Sequence, residues 1–233
     1  MIPWLGQELV FPPVRTALAE PDGLLAAGGD LSPARLLLGY SQGIFPWFSE
    51  GEPILWWSPA RRMVLFPEQL HVRRSLDKVL RNRSYRVTID TAFAQVIAAC
   101  AAPRPGAAGT WIIPPMVDAY CRLHALGAAH SFEVWMDGEL AGGLYGVALG
   151  RMFYGESMFS HRTDASKIAF VHMARHLGQH GVRMIDCQMH TRHLESLGAR
   201  LIPRSLFLAK LKQSTLEPQA DSMWTYHFDN EPS

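Results

Sequence analysis

Asp186 and Gln188 stand two residues apart in Met184–His190, a stretch that reads MIDCQMH. In a short buried strand, alternation places Asp186, Gln188 and His190 on one face and Ile185, Cys187 and Met189 on the other. A carboxylate in so apolar a strand is costly unless it is paired or hydrogen-bonded. The pair therefore either holds the sheet together or faces a ligand. The neighbouring CQMHTRH superficially resembles a metal site. Cys187 should however point away from His190, and zinc needs three or four convergent ligands. No cysteine sits in the polar setting that a nucleophilic thiolate requires. Glu156, in GESMFSHRTDASK, lies where a strand runs into a loop, a common place for functional groups. It could equally be a solvated turn residue or a partner of Arg162 or Lys167.

Two further patterns could bind a nucleic acid. VRRSLDKVLRNR carries Arg74, Lys78 and Arg81 at helical spacing, flanked by Arg73 and Arg83, with Asp77 its one acid. Such a run is most often a solvated helix face; the alternative is a contact surface for phosphates. Trp47 in FPWF and Trp111 in GTWI lie in breaker-rich loops, where an indole can stack on a base. Trp56 and Trp57, in an apolar run, read as core. A phosphate cradle before the helix at ASKIAFVHMARHLGQ is disfavoured, because SHRTDAS has no glycine and Asp164 puts a negative charge there.

The elements that must position these groups change texture along the chain. The first sixty residues are rich in Gly, Pro and Trp, with one clear helix from Ser32 and Pro33 to Gly43. From Arg62 regular elements follow: strand RMVLF, the basic helix, strand YRVTI, a helix capped by Asp90, and a helix opened by prolines and closed by Gly127. Asp137-Gly138 and Gly150 then mark the turns of a three-stranded antiparallel meander. A helix capped by Asp164 or Thr163 and ended by Gly181 leads into MIDCQ. HLESLGA, RLIP and RSLFLAKLK complete the body, and Trp224, Tyr226 and Phe228 could dock the polar tail onto it. The prediction is an α+β fold with a mostly antiparallel sheet flanked by helices. Its order matches GNAT-type, acetyltransferase-like domains. A small irregular N-terminal domain is expected over 1–61 and the larger domain over 62–233.

The chain has 233 residues, 48% of them hydrophobic, and a net charge of +1, so any nucleic-acid contact needs a local patch. No apolar run approaches the ~20 residues of a membrane span. The start lacks the pattern of a signal peptide. Cys100, Cys121 and Cys187 have no CxxC spacing and read as reduced core thiols in a cytoplasmic protein.

Between residues 11 and 211, the segments GIFPWF, WWSP, GTWI, HSFEVW, GESMFS, DASK, IDCQ and SLGA occur in this order. In them the chain resembles the bacterial leucyl/phenylalanyl-tRNA–protein transferase family. The resemblance implies an enzyme with a GNAT-type C-terminal domain. It would move leucine or phenylalanine, and less readily methionine, from aminoacyl-tRNA to proteins with N-terminal arginine or lysine. The product would be marked for degradation by the N-end rule pathway. No coenzyme A, metal or nucleoside triphosphate is implied, and a cytoplasmic monomer is expected.

Position by position, the resemblance implies Asp186 and Gln188 as the catalytic pair and Glu156 as the carboxylate receiving the basic acceptor residue. Trp47 and Trp111 would meet the terminal adenosine. Phe153, Met158 and Ile185, with Leu144 and Phe170 standing where the family has other apolar residues, would line the aminoacyl pocket. The basic helix, with Arg73, Arg74, Lys78, Arg81 and Arg83, would meet tRNA. Gln188 would accept a hydrogen bond from the attacking amine, while Asp186 orients it and helps remove the proton. Ala60 and Arg61 depart from an Asp-Pro pair common in the family. Two rival classes are an acyl-CoA N-acyltransferase, disfavoured by the missing glycine turn, and a non-catalytic tRNA-binding protein.

Overall fold

A computed structural model describes residues 2–103, 110–219 and 221–231. The short segments between the early prolines and glycines form a small sheet. Its strands are β1 (Trp4–Leu5), β2 (Leu24–Gly28), β3 (Phe45–Pro46) and β4 (Leu55–Trp57), in the order β1-β2-β4-β3. Helix α1 (Pro33–Ser41) leaves β2 through a turn at Gly28 and Gly29, both with positive φ. Ser32 caps it, accepting from the Arg35 N–H.

The second sheet has eight strands: β5 (Arg61–Leu65), β6 (Tyr85–Ile89), β7 (Ala129–Met136), β8 (Glu139–Leu149), β9 (Met152–Ser160), β10 (Met184–Gln188), β11 (Arg200–Pro203) and β12 (His227–Asn230). They run in the order β11-β5-β10-β9-β8-β7-β6-β12. Asp137 and Gly138 both take positive φ between β7 and β8, as a two-residue hairpin demands. Among the described strand pairs of this sheet, β9–β10 alone is parallel. The expected α+β class, with a mostly antiparallel sheet, is the one found.

Six helices clothe this sheet: α2 (Arg74–Asn82), α3 (Phe93–Ala101), α4 (Pro114–Ala125), α5 (Ala165–Gln179), α6 (Arg192–Ser196) and α7 (Arg204–Thr215). One face packs against α3, α4, α7 and α1 in an apolar cluster that continues through Trp56 into the small sheet. The other face packs against α2, α5 and α6. Helix α5 is buried on most of its circumference, through Ile168, Phe170, Val171, Met173 and Leu177 among others.

Two expected caps are used differently. Asp90 lies outside α3 at φ 58°, and its carboxylate accepts from the Ser131 N–H at 2.8 Å and meets His130 Nδ1 at 2.7 Å. Asp164 does precede α5, but at φ 66° its carboxylate turns to Lys167 Nζ, 2.6 Å away, and caps no helix N–H. At Asp90 a tertiary partner outcompetes the local N–H groups, and at Asp164 the ammonium of the helix's own first turn does.

The tail docks as a full edge strand, β12 on β6. Tyr226 Oη lies 2.8 Å from His172 Nδ1, whose Nε2 lies 3.1 Å from Tyr85 Oη. Burial, helped by Arg175, lowers the His172 pKa from 6.5 to about 4. The fold therefore holds the neutral ring, while the unfolded chain takes up a proton as pH falls through 6.5. Stability from this group is complete above pH 6.5 and is lost between there and pH 4, by up to about 3 kcal/mol. Urea unfolding at pH 7.5 and at pH 5 should reveal this loss, and His172→Gln should flatten it.

Candidate active site

The β9–β10 pairing runs from Met152↔Met184 to Tyr154↔Asp186 and stops there. Beyond it, β10 carries a bulge against β5: Asp186 faces Val64 and Gln188 faces Met63, leaving Cys187 as the extra residue. Gln188 takes φ 58°, a left-handed conformation that a residue with a Cβ adopts only where its surroundings impose it. A cavity of about 260 Å³ opens at this place.

Asp186 is fully buried and bound through two oxygens by Arg62, Nε to Oδ1 at 3.1 Å and Nη2 to Oδ2 at 2.5 Å. Arg62, 1% exposed, also donates to the Gly43 carbonyl at 2.9 Å and lies over the rings of Phe45 and Phe207. Asp186 Oδ1 further accepts from the Gln188 N–H at 2.9 Å, which pins the bulge. The Gln188 side chain reaches the cavity instead. Its Nε2 donates to Glu156 Oε1 at 2.8 Å, leaving its own Oε1 available as an acceptor. The expected alternation ends at the bulge, where Gln188 lines the cavity together with Ile185, Cys187 and Met189, so the two polar residues divide the alternatives between them: Asp186 fastens the sheet and Gln188 faces the cavity.

Glu156 is 8% exposed and has no cation within ion-pair distance among the described residues. Tyr120 donates to its Oε2 at 2.9 Å, and Tyr40 Oη lies 2.6 Å from Tyr120 Oη. Burial pushes its pKa from 4.5 up to about 7, while the tyrosine hydroxyls pull the other way. Near neutrality this carboxyl is poised between its two charge states. Burial and the Asp186 charge push the Cys187 thiol upward, which keeps it protonated and poorly nucleophilic. Cys187 is nonetheless not the core residue expected, for it lines the cavity wall.

Leu144, Met158, Phe170 and Ile185 line the same cavity, as does Trp111 at its edge. Phe153 does not. It is fully buried one layer behind, paired in register with Ile185, its ring between those of Phe132 and Trp224. Trp111 also lines a neighbouring cleft of about 1050 Å³, which Trp47 joins from the small sheet. Trp47 is 46% exposed, and its carbonyl accepts from Trp57 Nε1 at 2.6 Å, which fixes the loop that presents it.

On α2, Arg73, Arg74, Lys78 and Arg81 are exposed; Arg81 is paired with Asp77 at 2.8 Å. Arg83 is half-buried and donates to the Thr163 carbonyl at 2.6 Å, so it tethers the helix. His190 pairs with Glu195, and no group of three or more His, Cys, Asp or Glu side chains among the described residues could hold a metal ion. Sequence reasoning missed Arg62, Tyr40 and Tyr120. An arginine opening the apolar strand RMVLF was the available signal for the first; the tyrosines gave none.

A family model described as leucyl/phenylalanyl-tRNA protein transferase matches residues 64–212, and the model of that family's N-terminal domain matches residues 29–60. A leucyl/phenylalanyl-tRNA–protein transferase of Chromobacterium violaceum is 69% identical over 233 residues, covering 100% of both chains. One from Laribacter hongkongensis is 57% identical over the same span, again covering 100% of both. Among solved structures, FemX aligns with a TM-score of 0.48 at 13% identity, covering 73% of this chain and 66% of that one.

Proposed function

The chain belongs to the leucyl/phenylalanyl-tRNA–protein transferase family, an aminoacyltransferase family, and from that premise we propose which groups it joins and how. The donor is leucyl- or phenylalanyl-tRNA, with methionyl-tRNA a poorer one. The acceptor is a protein with N-terminal arginine or lysine, and the product enters the N-end rule degradation pathway. The observation that carries this reading is the apolar cavity with a nearly buried, cation-free carboxylate, Glu156, at its rim. The apolar wall suits an uncharged donor side chain, since nothing on it could pair a charge. Glu156 suits a cationic acceptor side chain through a charge-assisted bond.

The reaction is aminolysis of an ester. The acceptor's α-amine attacks the aminoacyl carbonyl carbon, the carbon–oxygen bond to the terminal ribose breaks, and an amide forms. The proton lost by the amine ends on the departing ribose oxygen. The ester is already activated, so no nucleoside triphosphate is consumed. Gln188 Oε1 accepts from the attacking amine and holds its lone pair toward the carbonyl. Asp186 acts as a positioning residue, through the Gln188 N–H and the Arg62 pair. A glutamine is too weak a base to take the proton outright, so its passage to the leaving oxygen completes the step.

Trp47 and Trp111 stack on the donor's terminal base in the adjoining cleft, and the exposed cations of α2 meet its phosphates. Trp47→Ala should lower kcat/KM for the donor about five- to hundredfold, the value of one stacked base, through KM with little change in kcat. The whole reading is tested by mixing the protein with leucyl-tRNA and a peptide beginning with arginine. Leucine should appear on the peptide's N-terminus. Binding of the tRNA without transfer would leave a tRNA-binding protein, and sink the proposed reaction.

A further inference from the structure

Helix α6 occupies the ground between the cavity and the basic helix α2. Thr191 caps it, accepting from the Leu194 N–H at 3.1 Å, and both Thr191 and Leu194 line the cavity. At its other end the Leu197 carbonyl accepts from the His71 N–H at 2.9 Å, two residues before the cap of α2. A Cβ at Gly198 would overlap the Gln69 carbonyl oxygen, so the two backbones are in contact there. Leu194 and Leu197 share an apolar cluster with Leu76 and Val72. The surface thus runs without a break from α2, across α6, to the cavity mouth.

The charges on this strip do not cancel. Of its acids, Asp77 is held by Arg81 and Asp164 by Lys167, while Glu195 meets the His190 ring, which carries a charge only when protonated; four unpaired cations still outnumber that one carboxylate. Arg73, Arg74, Lys78 and Arg192 are all exposed, and none has a carboxylate within ion-pair distance among the described residues. On a chain of net charge +1 this is a local excess. Unpaired cations spread over two adjoining elements beside a cavity fit a phosphodiester strand better than a compact anion.

We propose that α6, through Arg192, is a phosphate-binding step between the basic helix and the cavity mouth, gripping the backbone of the donor's single-stranded 3′ end. This rests on the aminoacyl-tRNA reading above. Arg192 follows Thr191 directly, so a phosphate held there lies beside the cavity wall and helps hold the terminal nucleotide at the cavity.

The test compares two donors, leucyl-tRNA and 3′-leucyl-adenosine, which has no phosphate, over a series of salt concentrations. Arg192→Ala should lower kcat/KM about five- to tenfold with leucyl-tRNA, through the donor's KM, and leave leucyl-adenosine unchanged. Its salt slope with tRNA should be shallower than the parent's by about 0.7, one phosphate contact to a single strand. Arg192→Lys, which keeps a charge, should recover most of the loss. Equal losses with both donors, no loss with tRNA, or a loss confined to the acceptor's KM would each overturn the proposal. The last would mean that the strip docks the acceptor protein. If the parent protein transfers from neither donor, the reaction itself is wrong and this assignment falls with it. If it accepts leucyl-tRNA alone, the salt slope decides.

Discussion

Asp186→Ala is expected to lose about 3–5 kcal/mol of folding stability and most of the transfer activity together. The stability loss follows from what remains. Arg62 would be left 1% exposed, with the Gly43 carbonyl and two aromatic rings but no counter-charge. A buried guanidinium without its carboxylate is far worse than either the pair or no pair at all. The activity loss has a separate origin. The bulge that aims Gln188 into the cavity keeps φ 58°, and the Asp186 Oδ1 bond to its N–H holds it there. Without that bond the strand can relax to ordinary geometry and carry the amide away from Glu156.

The two losses can be separated. Arg62→Met with Asp186→Leu removes both charges at once and should recover much of the stability, because apolar replacement of a buried ion pair is often neutral or favourable. It should not recover turnover, since no acceptor remains for the Gln188 N–H. Urea unfolding and single-turnover transfer on the single and double variants read the two quantities independently. Turnover close to the parent's in the stable double variant would reduce Asp186 to a purely structural role and remove it from the catalytic pair.

This dual role explains how far the site could be read beforehand. The meander was legible because Asp137-Gly138 and Gly150 are backbone requirements printed in the residues themselves. That Gln188 would leave the face of Asp186 was not legible, because the bulge between them is set by the pairing with β5 and not by local alternation. Nor were their different partners, because Arg62 lies 124 residues away and nothing in RMVLF says which strand it will sit beside. Tyr120 and Glu156, 36 residues apart, pose the same difficulty. Phe153 shows the converse. Its strand and its face were right, yet one layer of depth separates a lining residue from a backing one, and depth is set by where β9 and β10 cease to pair. Strand β12 was invisible as a strand, since HFDN is too short and too polar to carry a pattern, and only its aromatics hinted at docking.

Glu156→Gln should reduce kcat/KM for an N-terminal arginine acceptor about thirtyfold to several-thousandfold above neutral pH, while protecting the fold. A cation brought to a nearly buried site with no counter-charge loses about 2–5 kcal/mol of binding. The parent's preference for cationic over neutral N-termini should shrink by the same factor. The pH dependence carries the sharper signature. In the free protein the Glu156 pKa stands at about 7 through burial, so the acceptor-binding charge develops as pH rises through that value. The acceptor's own α-amine loses its proton at about 7.7–8.0. The parent should therefore show two rising limbs in kcat/KM, and Glu156→Gln only the upper one. For stability the sign is reversed. The unfolded chain releases this proton near pH 4.5 and the folded one holds it until about 7, so ionised Glu156 weakens the fold by up to about 3 kcal/mol above pH 7. Glutamine cannot ionise and should raise stability there, by an amount that vanishes as pH falls toward 4.5. A variant that is more stable at pH 8, no more stable at pH 4.5, and blind to arginine would identify Glu156 as a charge kept buried, at a cost to the fold, for the acceptor to neutralise. Retained arginine selectivity in Glu156→Gln would show that another group reads the acceptor.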